Sequence, residues 1–303
     1  MKTKKNGTLI IPAALLAGII VFHGLGVESH WFWIASFVLI GMPHGAYDVW
    51  RLRDRSRNPL TAGLKIALYL FVVVAYLFLW RRFPVFSLFL FLSLTAWHWG
   101  IADSYWIEQK MNSRRVFLGA LRGIWIVSLP IATDFQGATQ IMESMVLQSS
   151  PHQFFFEQRW QPIFLTTGTI SLLLEGFLHL RNRRFIFVGE VVILASLAFI
   201  LPASLFLVSY FIAVHSWRYL YERFSVEGDP FLKPTRWAIV AGISLFLIPI
   251  WYHLYSVDSP EASGASLTAS YLLLVSAFTL PHAILLQIQD TLSTSDTMKS
   301  SRA

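Results

Sequence analysis

Residues 185–221 read FIFVGEVVILASLAFILPASLFLVSYFIAVHSWRYLY, a stretch whose only charged residues are Glu190 and Arg218, with Pro202 near its middle and His215 toward its end. A membrane-spanning helix takes about 20 residues, so the stretch is too long for one crossing. Pro202, which lacks a backbone donor, marks the turn between two spans, 185–200 and 203–221. Similar apolar segments repeat on either side, near 8–26, 31–50, 62–80, 85–106, 116–132, 162–180, 237–256 and 267–288. The expected fold is an all-α polytopic membrane bundle of nine to ten transmembrane helices.

Composition agrees with that solvent. Of 303 residues, 55% are apolar and 14% charged, and the mean hydropathy is +0.56, which leaves too little polar surface to cover a water-soluble globule. Lys2, Lys4 and Lys5 precede the first apolar run, which continues without a small-x-small cleavage site and reads as a retained span. The net charge of +7 follows from topology and needs no nucleic acid. The bases around Arg51–Arg57, Lys110–Arg115, Arg181–Arg184, Arg223–Arg236 and Lys299–Arg302 fall on the same face as the N-terminal lysines. By the positive-inside rule that face is cytoplasmic, with both termini inside a cell (inner) membrane. Arg81, Arg82 and Arg159 lie on the other face. The expected organisation is one transmembrane domain over 1–290 and a disordered cytoplasmic tail over 291–303, rich in Ser and Thr. The connection from 133 to 161 carries an amphipathic pattern that suggests an interfacial helix.

Threading the chain this way puts four histidines at one depth. His44 lies seven residues before Arg51, His98 eight before Trp106, His215 eight before Arg223 and His282 eight before Asp290, so each is about 10–12 Å inside the inner boundary. Asp48, Asp103, Arg122, Glu175 and Glu190 share that inner half. Ionisable groups inside a membrane mark function by default, although a single buried histidine more often bonds a backbone carbonyl than a metal. His23, His179 and His253 fall near span boundaries and read as interfacial residues. The chain has no cysteine, so a metal would have to use His, carboxylate or Tyr. Imidazole ligands suit iron, zinc, copper or nickel. His44 and Asp48 share a helix face, and either Asp48 or Asp103 is placed to accept the distal N–H of a metal-bound imidazole.

The stretches GMPHGAYD around His44, HWGIAD around His98, HSWRY from His215 and LPHAIL around His282 resemble the motifs of the Brp/Blh family of bacteriorhodopsin-related proteins and β-carotene 15,15'-dioxygenases. The resemblance runs in order from the second span to the last. It implies a membrane non-haem Fe(2+) enzyme that cleaves β-carotene, or a related carotenoid, with O2 to retinal, with a functional link to a rhodopsin. It further implies iron and catalysis at His44, His98 and His215. Where the family pattern has a fourth histidine this chain has Tyr219, a good ligand for ferric iron but a poor one for the ferrous state, and His282 is a candidate replacement. A three-histidine site and a catalytically silent or substrate-altered carotenoid binder therefore stay open. From the residues alone, a proton- or ion-coupled transporter also stays open, without the internal repeat common in that class, as does a haem site.

Overall fold

The computed structural model describes residues 16–21, 23–26, 29–41, 52–53, 56, 58–109, 111–149, 156–222, 238–240, 242 and 264–300, and every regular element among them is helical. Helix α1 (Ser29–Ser36) runs into a π-helical turn, Phe37–Gly41. Then come α2 (Pro59–Arg82), α3 (Pro84–Ser104), α4 (Ser113–Thr133), α5 (Phe135–Ser149), α6 (Trp160–Arg181) and α7 (Phe185–Ile200). Helix α8 (Ala203–Tyr210) continues through a second π-helical segment, Phe211–Ser216, into α9 (Trp217–Glu222), and α10 spans Gly264–Ser300.

Local chemistry sets the boundaries. Asn58 caps α2 by accepting the Thr61 N–H at 2.8 Å, with Pro59 at the first position, where its missing N–H costs nothing. Asn112 caps α4 in the same way through the Arg115 N–H at 2.8 Å. Phe83 alone separates α2 from α3, and Pro84 opens the next helix. The break at Pro202 is present: Leu201 turns extended and α8 restarts at Ala203. Asp134 pins that corner to the start of α5, accepting the Ala203 N–H at 2.9 Å and the Gly137 N–H at 3.2 Å.

Four whole helices, α2, α3, α4 and α6, together with residues Leu267–Leu285 of α10, are long and apolar enough to cross a membrane, and Phe185–Ile200 and Trp31–Gly41 are shorter apolar helices. The chain is a helical membrane protein. The ninth expected span, 237–256, falls outside the described residues except for 238–240 and 242. Helix α10 does not stop near 288 or at the start of the expected tail. Its backbone stays helical to Ser300, and no Gly or Pro follows Pro281 to end it. The helix expected between spans five and six is α5. Ala138, Met142, Met145 and Val146 on its apolar face are buried in the bundle core.

Helix packing in a membrane has no hydrophobic force between spans to draw on, so close approach and polar ties replace it. Both occur here. Gly100 on α3 faces Gly119 and Gly123 on α4, and a Cβ at Gly100 would come within 1.9 Å of the Gly119 carbonyl oxygen. A Cβ at Gly123 would come within 1.7 Å of the Ala96 carbonyl oxygen. Backbone therefore lies on backbone along this seam. Trp80 donates to Ser276 Oγ at 2.9 Å, tying α2 to α10, and Tyr76 donates to the Ser87 carbonyl at 3.2 Å, tying α2 to α3. Leu64, Leu68 and Phe71 on α2, Ile170, Leu173 and Phe177 on α6, and Val192 and Ile193 on α7 face outward, as lipid contact requires.

Candidate functional site

Three of the four equal-depth histidines come together. His98 on α3, His215 in the second π-helical segment and His282 on α10 are all buried. The His98 ring lies edge-on to His215 at 4.8 Å and to His282 at 4.9 Å between centroids. Residues 98, 215 and 282 are far apart in sequence, so only the tertiary fold can gather them. His44 and Asp48 lie outside the described residues. Gly41, three residues before His44, packs against the Phe211 ring, where its Cβ would stand at 3.3 Å.

His215 is held from several directions. Trp99 and Phe211 flank its ring at 5.7 and 6.3 Å. Nδ1 faces Asp103 Oδ1 at 3.6 Å, and the other oxygen of Asp103 accepts a hydrogen bond from Tyr210. Asp103 thus stands behind His215, across the bundle, rather than behind His98 on its own helix. The π-helical segment that carries His215 widens the turn there, a rare geometry concentrated at functional sites. Tyr219, one turn further on, has its ring 6.1 Å from that of His282. His282 therefore lies beside both His98 and Tyr219. Among the described residues, no three of His, Asp and Glu already stand in ligand geometry around one point.

A cavity of about 230 Å³ adjoins the histidines. On α3 its wall follows Leu88, Phe91, Leu92, Thr95 and His98, and on α10 Leu272, Val275, Phe278, Thr279 and His282. Each run has helical spacing, covers eleven residues and closes on a histidine next to the other. The apolar space thus extends about 15 Å along two helices and ends at the imidazole cluster. Tyr69 of α2, Trp33 and Gly41 at the chain's start, and Ala138, Met142 and Met145 of α5 complete much of the wall.

Three of the inner-half charges, Arg122, Glu175 and Glu190, join Arg218 in one buried network. Arg122 on α4 donates to Glu175 on α6 at 2.8 Å and to Glu190 on α7 at 2.7 Å, and Arg218 on α9 donates to the other oxygen of Glu190. Trp125 also donates to Glu175. His179 is not interfacial as its position in the sequence suggests. It is buried, 3.2 Å from Glu175 and stacked on Phe187. The reason is that α6 turns this face inward, where Glu175, four residues earlier, supplies a partner. The sequence marks these charges singly but does not show that they join. The available signal was Gly119-x-x-x-Gly123, which brings α3 and α4 together around Arg122.

Comparison with known proteins now bears on this arrangement. The model of the β-carotene 15,15'-dioxygenase family matches residues 35–290, which include all four equal-depth histidines. The chain belongs to that family. A β-carotene 15,15'-dioxygenase from an uncultured marine bacterium, 66A03, is 27% identical over 271 residues, covering 84% of this chain and 92% of the relative. A probable β-carotene 15,15'-dioxygenase, Blh, of Halobacterium salinarum is 24% identical over 293 residues, covering 85% and 83%. No solved structure matches the chain. The match covers the histidines and the cavity-lining residues other than Trp33.

Proposed function

We propose that the chain is a membrane dioxygenase that cleaves β-carotene, or a related carotenoid, at its central double bond with O2 to give retinal. The observation that carries this reading is the apolar cavity ending at three histidines drawn from three separate helices. β-Carotene is an apolar rod about as long as the ~30 Å hydrocarbon core of a bilayer. A space of about 15 Å takes half of such a rod and leaves its middle at the imidazoles. Substrate reaches it from lipid without crossing water, and the cavity walls keep water from the reacting carbons.

The donor set fits Fe(2+). Neutral imidazoles suit it, and Asp103 behind His215 is placed to fix that ring's tautomer and orientation. We assign the iron to His44, His98 and His215. Because Tyr219 holds the family's fourth position and His282 adjoins His98, we assign His282 as the fourth ligand, with Asp48 and Asp103 as supporting carboxylates. Bound iron would supply the redox chemistry that lets O2 react with the polyene. The protein's own residues hold the rod in the tube, orient the imidazoles and exclude water. The chain is further assigned ten spans, with both termini cytoplasmic and a single domain over 1–290.

Expression in bacteria that accumulate β-carotene tests the reading, with pigments separated by chromatography against an empty vector. Retinal appearing as the orange colour fades is the expected result. Unchanged carotene in cells whose membranes contain the protein would overturn it and favour a silent carotenoid binder.

A further inference from the structure

A hydrocarbon polyene offers the tube no polar handle, and contact with carbon walls is non-directional. Such a rod slides along its axis until something stops it. The two ends of the cavity differ in this respect. Near the histidines, Leu70 of α2 lines the cavity and is half exposed on the lipid-facing surface. It lies thirteen residues before Phe83 and His98 lies fifteen after it, so with α2 and α3 tied as a hairpin through Tyr76 and Ser87 the two stand at similar depth. The wall toward lipid at that level is a surface side chain, free to change rotamer.

At the other end the tube meets α5. Ala138, Ile141, Met142 and Met145 line the cavity from one face of that helix, while Gln136 and Gln140 on its opposite face are exposed. Two ties hold the helix there. Asp134, just before it, accepts the Ala203 N–H at 2.9 Å, where the α8 side of the tube begins. Glu143, in its middle, accepts the Phe156 N–H at 2.8 Å. The Phe156 ring in turn lies 6.1 Å from that of Phe89, the residue after Leu88, where the α3 side begins. The start and the middle of α5 are therefore both fixed at the end away from the histidines, and Met142 and Met145 are buried between the tube and the rest of the core.

We propose that α5 is a depth stop, and that Met142 and Met145 set which double bond of a carotenoid meets the histidines. This rests on the carotenoid-cleaving reading and names the residues that decide where the cut falls. From Leu88 to His98 the tube runs about 15 Å, half the length of a rod that matches the ~30 Å bilayer core. An end ring seated on α5 thus leaves the central double bond at the imidazoles, and the other half of the rod passes Leu70 toward lipid. Cleavage of any double bond in the chain breaks that bond and the O–O bond of O2 and forms two C=O bonds. A change of depth therefore alters the products and leaves the balance as it was.

The test gives the full chain, in lipid nanodiscs with Fe(2+), either β-carotene or a homologue whose polyene is lengthened by an isoprene unit in each half, and separates the products by chromatography. Counted from a seated ring, the cut falls at the same bond in both, so the homologue should yield retinal and a longer aldehyde. Two equal aldehydes without retinal would mean that the centre is found without a stop, and would overturn the proposal. Refusal of the homologue by a chain that cleaves β-carotene would do the same, because the lipid side has room for the extra length. Met142→Ala and Met145→Ala each deepen the tube, and should shift part of the cut in β-carotene one double bond further from the seated ring. An aldehyde longer than retinal and a shorter ketone then appear. Met142→Leu, of similar volume, should give retinal alone. Retinal alone from both alanine variants would remove the two methionines from the role. The homologue needs no substitution, so it decides the question for a chain whose alanine variants fail to fold. Retinal from β-carotene with any of these contrary results sinks the stop and leaves the reaction standing, whereas no product from either carotenoid sinks both.

Discussion

The cavity and the ionic network are both buried, and both approach His215, yet one is walled by carbon and the other is built from charge. Along the cavity, α2, α3, α5 and α10 present carbon, and even the Thr95 hydroxyl and Trp33 indole nitrogen are buried. In the network, Arg122, Glu175, Glu190 and Arg218 are joined by short ion pairs that end three residues after His215, with Arg122 Nη2 and Arg218 Nη1 outside those pairs. Paired buried charges hold helices in register, whereas an apolar wall offers carbon for an apolar ligand to lie against. Burial is alike in the two regions, so side-chain chemistry is what separates scaffold from site.

The largest effect expected from this contrast is at the histidines. His98→Ala should abolish iron retention and retinal formation while the protein remains in the membrane, as read by metal analysis of the purified chain and pigment chromatography. Iron content equal to the parent would remove His98 from the ligands. Next comes the network. Arg122→Ala leaves the carboxylates of Glu175 and Glu190 without their shared partner, and breaking a buried pair in this way costs about 3–5 kcal/mol. Thermal unfolding in detergent should show it as a lowered midpoint even with no metal added. A midpoint matching the parent would mean that the network does not hold the bundle together.

Much of the bundle can be read from hydropathy because lipid leaves few choices. Every backbone polar group must be satisfied within its own segment, so apolar runs of about 20 residues become helices. Pro202 and the α2–α3 turn at Phe83 follow from proline's missing donor and fixed φ. Grouping His98, His215 and His282 as one layer was also within reach, because equal depth follows from counting residues to a boundary. Rotation about each helix axis was not. Nothing in the local sequence says that Asp103 faces His215 instead of His98, or that His179 turns inward to Glu175. Those facts depend on how α3 seats against α4 through Gly100, Gly119 and Gly123, and on the π-helical turn that re-aims His215.

That seam gives a mid-sized prediction. Gly123→Ala drives a methyl group into the Ala96 carbonyl, and because backbone cannot rotate away, α3 and α4 must separate. Overpacking of this kind costs about 1–3 kcal/mol. The displacement moves His98 relative to Glu175 and Arg122, so metal content should fall together with the unfolding midpoint. If stability falls and metal content does not, the seam serves the scaffold alone. Asp103→Asn acts closer to the site. An amide keeps the size of the carboxylate but loses its charge, and changes to groups behind a metal-bound imidazole typically cost 10- to 100-fold in metal affinity or activity. Titration with Fe(2+) under anaerobic conditions would measure it. An unchanged affinity would place Asp103 with the structural charges.

The smallest effect is the most informative about how this chain departs from the family pattern. Tyr219 occupies the fourth histidine position, and its ring lies beside His282, which in turn lies beside His98. If His282 has taken over the ligand role, Tyr219→His adds a second candidate imidazole next to one already in use, and activity should stay within a few-fold of the parent. Replacing His282 by Ala should then be damaging in the parent and tolerated in the Tyr219→His background. Such a dependence of one substitution on the other is the signature of side chains that share a partner. Independent effects would mean that the two do not exchange roles. A large loss from Tyr219→His alone would give the phenol its own task, since the bulk of an imidazole in that position is no greater than that of the ring it replaces.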